Sequence, residues 1–199
     1  MALVKYNNNS ISAITAASSL PTGAMTLLET QTASSSSTIS FTSNIDSTYK
    51  EYILKYINIH PATDGVSFTF QTDTGTNTSY NQTVTTSFFQ AIHAEGDGSE
   101  EVSYNTGNDL AQSSSFQILT ENISSDNDHG VSGTLHLFEP SSTTFVKHFM
   151  ANSQYTSASN LCMQIFVAGY FNITTAITRL QFKMSSGNFD GTIKLYGIK

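Results

Sequence analysis

The residues most able to do chemistry by type and spacing are the acids in the stretch EGDGSE at 95–100. Carboxylates held about 5–5.5 Å apart on one strand can act as nucleophile and general acid in the cleavage of a glycosidic bond. That chemistry needs apolar neighbours that anchor the strand and raise the pKa of one acid. Here the spacers are glycine and serine, and Glu101 adds a further acid. We interpret the stretch as a solvated loop, so a polysaccharide hydrolase acting through Glu95, Asp97 and Glu100 is the least favoured function.

A second group of oxygen ligands, DNDHG at 126–130, has a composition that can bind calcium. It does not follow the EF-hand loop, because the glycine comes one position early and no glutamate stands at the twelfth position. We interpret it as a solvated turn, with a weak ion site in the 122–130 loop as the alternative.

Three histidines, His93, His136 and His148, fall on predicted strands, where a β-sandwich can gather imidazoles around a metal. The close His pair of a cupin metal site is missing, so each histidine is expected to be half-buried in a sheet. Cys162 lies between Leu161 and Met163 and is interpreted as a small core residue. No nucleophile elbow, phosphate-binding loop or paired-cysteine metal site occurs, and the sequence predicts no catalytic residue, no cofactor and no metal.

Composition limits the classes of function further. The chain of 199 residues is long enough for one domain with an arm. Its formal net charge of -7 argues against nucleic-acid binding, which favours a basic stripe. The longest apolar run, at 165–171, is too short for a membrane helix, and the N-terminus does not read as a signal peptide. The sequence therefore predicts a protein made in the cytoplasm that neither inserts into membranes nor binds nucleic acid.

The hydrophobic pattern has a period of two over most of the chain, which is typical of β-strands. Residues 1–20 show no sustained period and are predicted to form an extended N-terminal arm, followed by a domain at 21–199. In YKEYILKYINIH the pattern places Ile53, Ile57 and Ile59 on one face. Long loops are expected at 72–82, 95–112 and 122–130. Further strands are expected at 87–94, 115–121, 131–139, 145–153, 161–171, 177–184 and 192–198.

Ten or eleven short strands without a helical stripe predict an all-β fold, a jelly-roll-like antiparallel β-sandwich with extra strands. The chain finishes on GTIKLYGIK, a clean strand with a turn before it. We expect this strand to close the sandwich by pairing near the strand that follows Pro21-Thr22-Gly23.

The whole-chain order of blocks resembles a known group of proteins. The blocks are SLPTGAMTLLETQTASSSSTISF, TYKEYILKYINIHPATD, SSTTFVKHFM, VAGYFN and AITRLQFKMSSGNFDGTIKLYGIK. They resemble a family of structural virion proteins of about 200 residues in tailed phages of marine bacteria. The resemblance implies a β-sandwich body located in the virion, as a head decoration or a fibre or tail appendage. It supplies no catalytic residues.

The resulting hypothesis is a structural protein that contacts other virion proteins and forms a homo-oligomer, for which a trimer would fit. Apolar side chains of the arm are predicted to make assembly contacts: Leu3, Val4, Tyr6, Ile11 and Ile14. The alternative hypothesis is a carbohydrate-binding module that recognises a host-surface glycan. In that case tyrosines in predicted loops would stack on sugar rings: Tyr80, Tyr104 and Tyr155.

Overall fold

The computed structural model describes residues 24–199, and within them twelve β-strands and no helix are present. The predicted arm at 1–20 lies outside the described residues. The strands are β1 (Met25–Ser36), β2 (Thr38–Phe41), β3 (Glu51–Pro61), β4 (Val66–Thr74), β5 (Val84–Ala94), β6 (Glu100–Tyr104), β7 (Gln117–Ile123), β8 (Val131–Phe138), β9 (Lys147–Thr156), β10 (Leu161–Phe171), β11 (Ile177–Met184) and β12 (Phe189–Ile198).

Two antiparallel sheets form a sandwich, which confirms the predicted fold class. One sheet has eight strands in the order β1-β12-β3-β8-β9-β10-β5-β6, and the other has four in the order β2-β11-β4-β7. We call the side of the eight-stranded sheet that packs on the smaller sheet its inner face, and the opposite side its outer face. Successive side chains of a strand point to opposite faces, so each strand contributes to both.

The pairing of eight of these strands is that of a jelly roll. β1 pairs with β12, β2 with β11, β3 with β8 and β4 with β7, so that the pairs are nested along the chain. Additional pairing of β12 with β3 and of β11 with β4 joins the nested pairs into two sheets of four. This nested order is a double Greek key, the architecture of capsid and lectin jelly rolls.

The remaining four strands are the extra strands that the pattern predicts. β5 and β6 lie between β4 and β7 in the chain, and β9 and β10 lie between β8 and β11. They add to the open side of β8, because β8 pairs with β9, β9 with β10, β10 with β5 and β5 with β6. One sheet of the jelly roll is thereby doubled in width.

The last strand occupies an interior position in the larger sheet. Ile198 in β12 pairs with Met25 in β1 on one side and with Glu51 in β3 on the other. The expectation that GTIKLYGIK pairs with the strand after Pro21-Thr22-Gly23 is therefore confirmed.

A cluster of phenylalanine rings lies within the core between the sheets. Phe68 and Phe70 of β4 stack on Phe182 of β11, with ring centroids 5.6 and 6.1 Å apart. Phe70 also meets Phe149 of β9 edge to face, at 5.0 Å. The extra strands therefore share one continuous core with the jelly roll.

The prediction that Ile53, Ile57 and Ile59 share a face is wrong, because a β-bulge interrupts β3. Tyr56 pairs with Gly133 and Ile59 with Val131, which leaves two residues of β3 opposite one of β8. Asn58 in this bulge has a φ of 51°, a conformation that asparagine adopts more readily than a β-branched residue. As a result Ile59 is fully buried while Ile57 is 40% exposed on the outer face.

The prediction of a long loop at 95–112 is also partly wrong. Residues 100–104 form β6 at the edge of the larger sheet. The side chains of this strand are mostly exposed, so the sequence carries no alternation that marks it. The described part of the chain contains no helix that could span a membrane.

Candidate assembly surface

The acids of 95–100 lie at the hairpin that joins β5 and β6, and all of them are exposed. Glu95 and Asp97 belong to the turn, and Glu100 begins β6. The contact of Asp97 is with His93, whose Nε2 lies 3.4 Å from Oδ1 of the carboxylate. The residues form no enclosed cleft that would desolvate a carboxylate, so the structure agrees with the interpretation as a solvated loop.

The three histidines lie on the outer face of the larger sheet without converging. His136 Nδ1 is 2.6 Å from Oε1 of Glu51, and the ring of His148 lies 6.0 Å from that of Tyr170. Only His136 is half-buried as expected, whereas His93 and His148 are exposed. Within residues 24–199 no group of three or more His, Cys, Asp or Glu side chains could hold a metal ion.

The DNDHG turn borders a polar groove on the outer face, next to the bulge of β3. The Nδ1 atom of His60 lies 2.9 Å from the carbonyl oxygen of His129, which holds the turn against β3. His129 is largely buried, and its own Nδ1 is enclosed without a hydrogen-bond partner among the described residues. The groove of about 380 Å³ is lined by Asn58, His60, Asn127, Asp128, His129, Gly130, Ser132 and Gln154. Its donors and acceptors are suited to a polar ligand.

The glycan contacts predicted at Tyr80 and Tyr155 are corrected by the structure. Tyr155 lies in β9 on the inner face and is fully buried, and its hydroxyl donates to the carbonyl oxygen of Glu121 at 2.7 Å. Burial also raises the pKa of Tyr155. Tyr80 lies in a loop and is 5% exposed, and its own backbone N–H donates to the buried carboxylate of Asp73. Neither ring can stack on a sugar without leaving the core.

Tyr104 is the one predicted tyrosine that is open to a ligand, being 52% exposed in β6. Its hydroxyl donates to Oδ2 of Asp109 at 2.6 Å. That hydrogen bond to a carboxylate raises the pKa of Tyr104 and is the largest cause of the shift. Desolvation and the negative charge of Asp109 raise the pKa further. The phenol is therefore kept neutral as a donor.

The interpretation of Cys162 as a core residue is wrong, because its side chain is exposed. Cys162 lies on the outer face of β10, between His93 of β5 and Thr156 of β9. Its neighbours Leu161 and Met163 point inward, and the period of two that identifies β10 as a strand places Cys162 opposite to them.

Apolar side chains are spread over the outer face, although no described element covers it. Phe89 of β5 stacks on Phe166 of β10 with ring centroids 4.9 Å apart, and Phe89 stays 43% exposed. Met150 in β9 is 57% exposed. An apolar groove of about 280 Å³ lies here, lined by Thr134, His136, Phe138, Met150, Ala151, Asn152 and Phe166. Contiguous exposed apolar surface is characteristic of interaction sites, and this groove with the adjoining exposed rings makes the outer face a candidate for one.

At one end of the outer face two lysines stand side by side. Lys55 of β3 and Lys194 of β12 are directly opposite in the register, an arrangement that like charges make unfavourable. Lys55 Nζ lies 5.5 Å from the centre of the Tyr196 ring. Among residues 24–199 neither ammonium lies within 4.0 Å of a carboxylate. We call Lys55, Lys194 and the flanking exposed Leu27 and Ile57 the lysine patch.

At the other end the sheet finishes in the acidic strand β6. Glu100, Val102 and Tyr104 point to the outer face, because they pair with His93, Ala91 and Phe89. Val102 is 78% exposed. We call these three residues of β6, together with Phe89, the edge patch.

Sequence reasoning did not find either patch, since their residues are ordinary strand positions until the register places them together. The one signal in the sequence is the distribution of charge, because no Lys or Arg occurs between Lys55 and Lys147. That segment includes the whole of β5, β6 and β7. Comparisons of the chain with protein-family models, with curated proteins and with solved structures find no match.

Proposed function

We propose that the protein is a structural component of a tailed-phage virion, and that it acts through contacts between protein surfaces. The observation that carries the proposal is the outer face, which is eight strands wide, is covered by none of residues 24–199 and carries exposed apolar side chains such as Met150 and Phe89. A sheet eight strands wide presents about 34 Å of surface across the strands. The resemblance of the sequence blocks to phage structural proteins supplies the biological setting.

The test is to measure the protein in purified particles. Quantitative mass spectrometry should find it at tens to hundreds of copies per particle, at a constant ratio to the capsid protein across a density gradient. Labelling with a specific antibody should decorate one defined position on the particle in electron micrographs. Absence from gradient-purified particles overturns the proposal.

A second candidate function is carbohydrate binding, and the polar groove favours it. Side-chain amides, a carboxylate and imidazoles line this groove, and such groups can pair with sugar hydroxyls. A glycan array with the purified protein tests it, using Asp128→Ala with Gln154→Ala as the variant. Binding that is lost in this variant supports the candidate, and no binding at millimolar sugar removes it.

A further inference from the structure

The edge patch and the lysine patch are complementary in charge and in apolar character. The edge patch offers Glu100 with exposed Val102 and Tyr104, whereas Glu101 pairs with Ile92 and points to the opposite side of the sheet. The lysine patch offers two ammonium groups, which have no carboxylate within 4.0 Å in the described part of the chain, between exposed aliphatic side chains. Opposite charges around an apolar centre are the arrangement that gives an interface its register and its encounter rate.

One chain cannot bring these two patches together. In the larger sheet five strand spacings separate β3 from β6, which is about 24 Å across the sheet. Both patches also face the same way, since both belong to the outer face. The complementary partner must therefore come from another molecule.

We propose that the partner is a second copy of this chain, whose edge patch docks on the lysine patch of the first in a head-to-tail contact. Side-by-side pairing of two β6 edges is disfavoured, because it would bring Glu100 and Glu101 of one copy against those of the other. A head-to-tail contact leaves one unused patch of each kind on every pair. Repetition therefore builds a ring if the rotation closes and an open filament if it does not.

The inference rests on the proposed function only for the idea that the chain works through protein surfaces. It therefore has a separate test. Absence from particles would defeat the proposed function, whereas the head-to-tail contact is tested in solution on the purified full-length chain.

The experiment measures self-association by analytical ultracentrifugation over a range of protein concentrations at low salt. Reversal of the edge patch by Glu100→Lys should weaken association about tenfold or more, and so should reversal of the lysine patch by Lys55→Glu with Lys194→Glu. An equimolar mixture of these two variants should form oligomers in which the two variants alternate, because the positive edge patch of one matches the negative patch of the other and their two unaltered patches also match. The chain carrying all three reversals should associate again, since the two patches are then complementary with exchanged signs.

A matched control is Asp64→Lys with Asp126→Lys, which reverses two exposed loop acids that belong neither to the two patches nor to the lining of the polar groove. It should associate like the unaltered chain. Unchanged far-ultraviolet circular dichroism and melting temperature show that every variant is folded. Three results would overturn the inference: a protein that is monomeric at all concentrations, an association that either reversal leaves intact, or a triple variant that fails to recover association.

Discussion

The two faces of the eight-stranded sheet share one backbone and differ in almost everything else. On β9, Phe149 points inward, is 1% exposed and contacts the rings of Phe70 and Phe171 at 5.0 and 5.4 Å. Its neighbour Met150 points outward and is 57% exposed. The inner face carries the packing that holds the two sheets together, so its residues are fixed by the fold. The outer face contributes little to folding, and its apolar and charged residues are free to serve binding.

The largest expected effect is on the inner face. Replacement of Phe149 by Ala removes a ring from a close-packed aromatic cluster and should lower the free energy of unfolding by about 3–5 kcal/mol. Urea denaturation followed by circular dichroism measures it. A loss below about 1 kcal/mol would show that the core under the extra strands is loosely packed.

A smaller but still clear loss is expected from Gly133→Ala on β8. A Cβ atom at this position would collide with the ring of Tyr56 and with the carbonyl oxygen of Asn152. The required shift should cost about 1–3 kcal/mol, measurable by the same denaturation. Thr134→Val, one residue away on the outer face, is the control and should lie within about 0.5 kcal/mol of the unaltered protein.

The buried tyrosines predict a loss of stability at high pH. Burial raises the pKa values of Tyr56 and Tyr155 above the ordinary value near 10, and their hydroxyls are hydrogen-bonded inside. Below pH 10 both phenols are neutral in the folded and unfolded states. Above it the unfolded chain releases protons first, so stability should fall by about 1.4 kcal/mol per pH unit for each tyrosine.

Denaturation at several pH values between 9 and 11.5 measures this slope, and pH 7 serves as the baseline. Tyr155→Phe should reduce the alkaline slope while costing about 1–2 kcal/mol at pH 7 from the lost hydrogen bond to Glu121. An alkaline slope that is the same in Tyr155→Phe would show that other groups govern the transition.

The outer face should tolerate substitution. Met150→Ala should change the free energy of unfolding by less than about 1 kcal/mol, in contrast to the adjacent Phe149→Ala. Equal losses of unfolding free energy in Met150→Ala and Phe149→Ala would contradict the difference between the two faces.

The smallest expected effect on stability comes from deletion of residues 1–20, which carry few apolar groups. The melting temperature should stay nearly unchanged, because ordering these residues costs about 1–2 kcal/mol each and their few side chains cannot offset it. Incorporation into particles should fail if the arm makes assembly contacts. Unfolding of the truncated protein would place the arm in the domain core instead.

The sequence predicts the fold well where a strand is buried on one face. The strands at 161–171 and 177–184 are predicted with the bounds that the structure has, because each is an apolar-rich run that ends at a stretch of polar residues. β6 is missed because only one neighbour holds it and its side chains stay in solvent. Local pattern cannot reveal a strand that buries nothing.

The candidate surface is harder to predict from the sequence. Whether a single residue is buried depends on the register between paired strands and on where each strand begins and ends. Lys147 looks like a surface residue, yet it points inward at the start of β9, and its ammonium donates to the carbonyl oxygens of Phe145 and Ile173 at 2.7 and 3.3 Å. The pairing of Lys55 with Lys194 joins residues that are far apart in the chain. Such proximity is a property of the tertiary structure alone.

The nested strand order has a consequence for how the protein comes into being. The first strand pairs with the last, since Met25 lies opposite Ile198. During synthesis β1 and β3 therefore lack the strand that stands between them until β12 has left the ribosome, and the Phe-rich core stays open to solvent until then. Chains dominated by such non-local pairing fold slowly, and their unpaired, aggregation-prone strand edges stay exposed until folding is complete. Because β1 and β12 are so far apart in the sequence, the nascent chain passes through a stage at which only low concentration or chaperones protect it from aggregation.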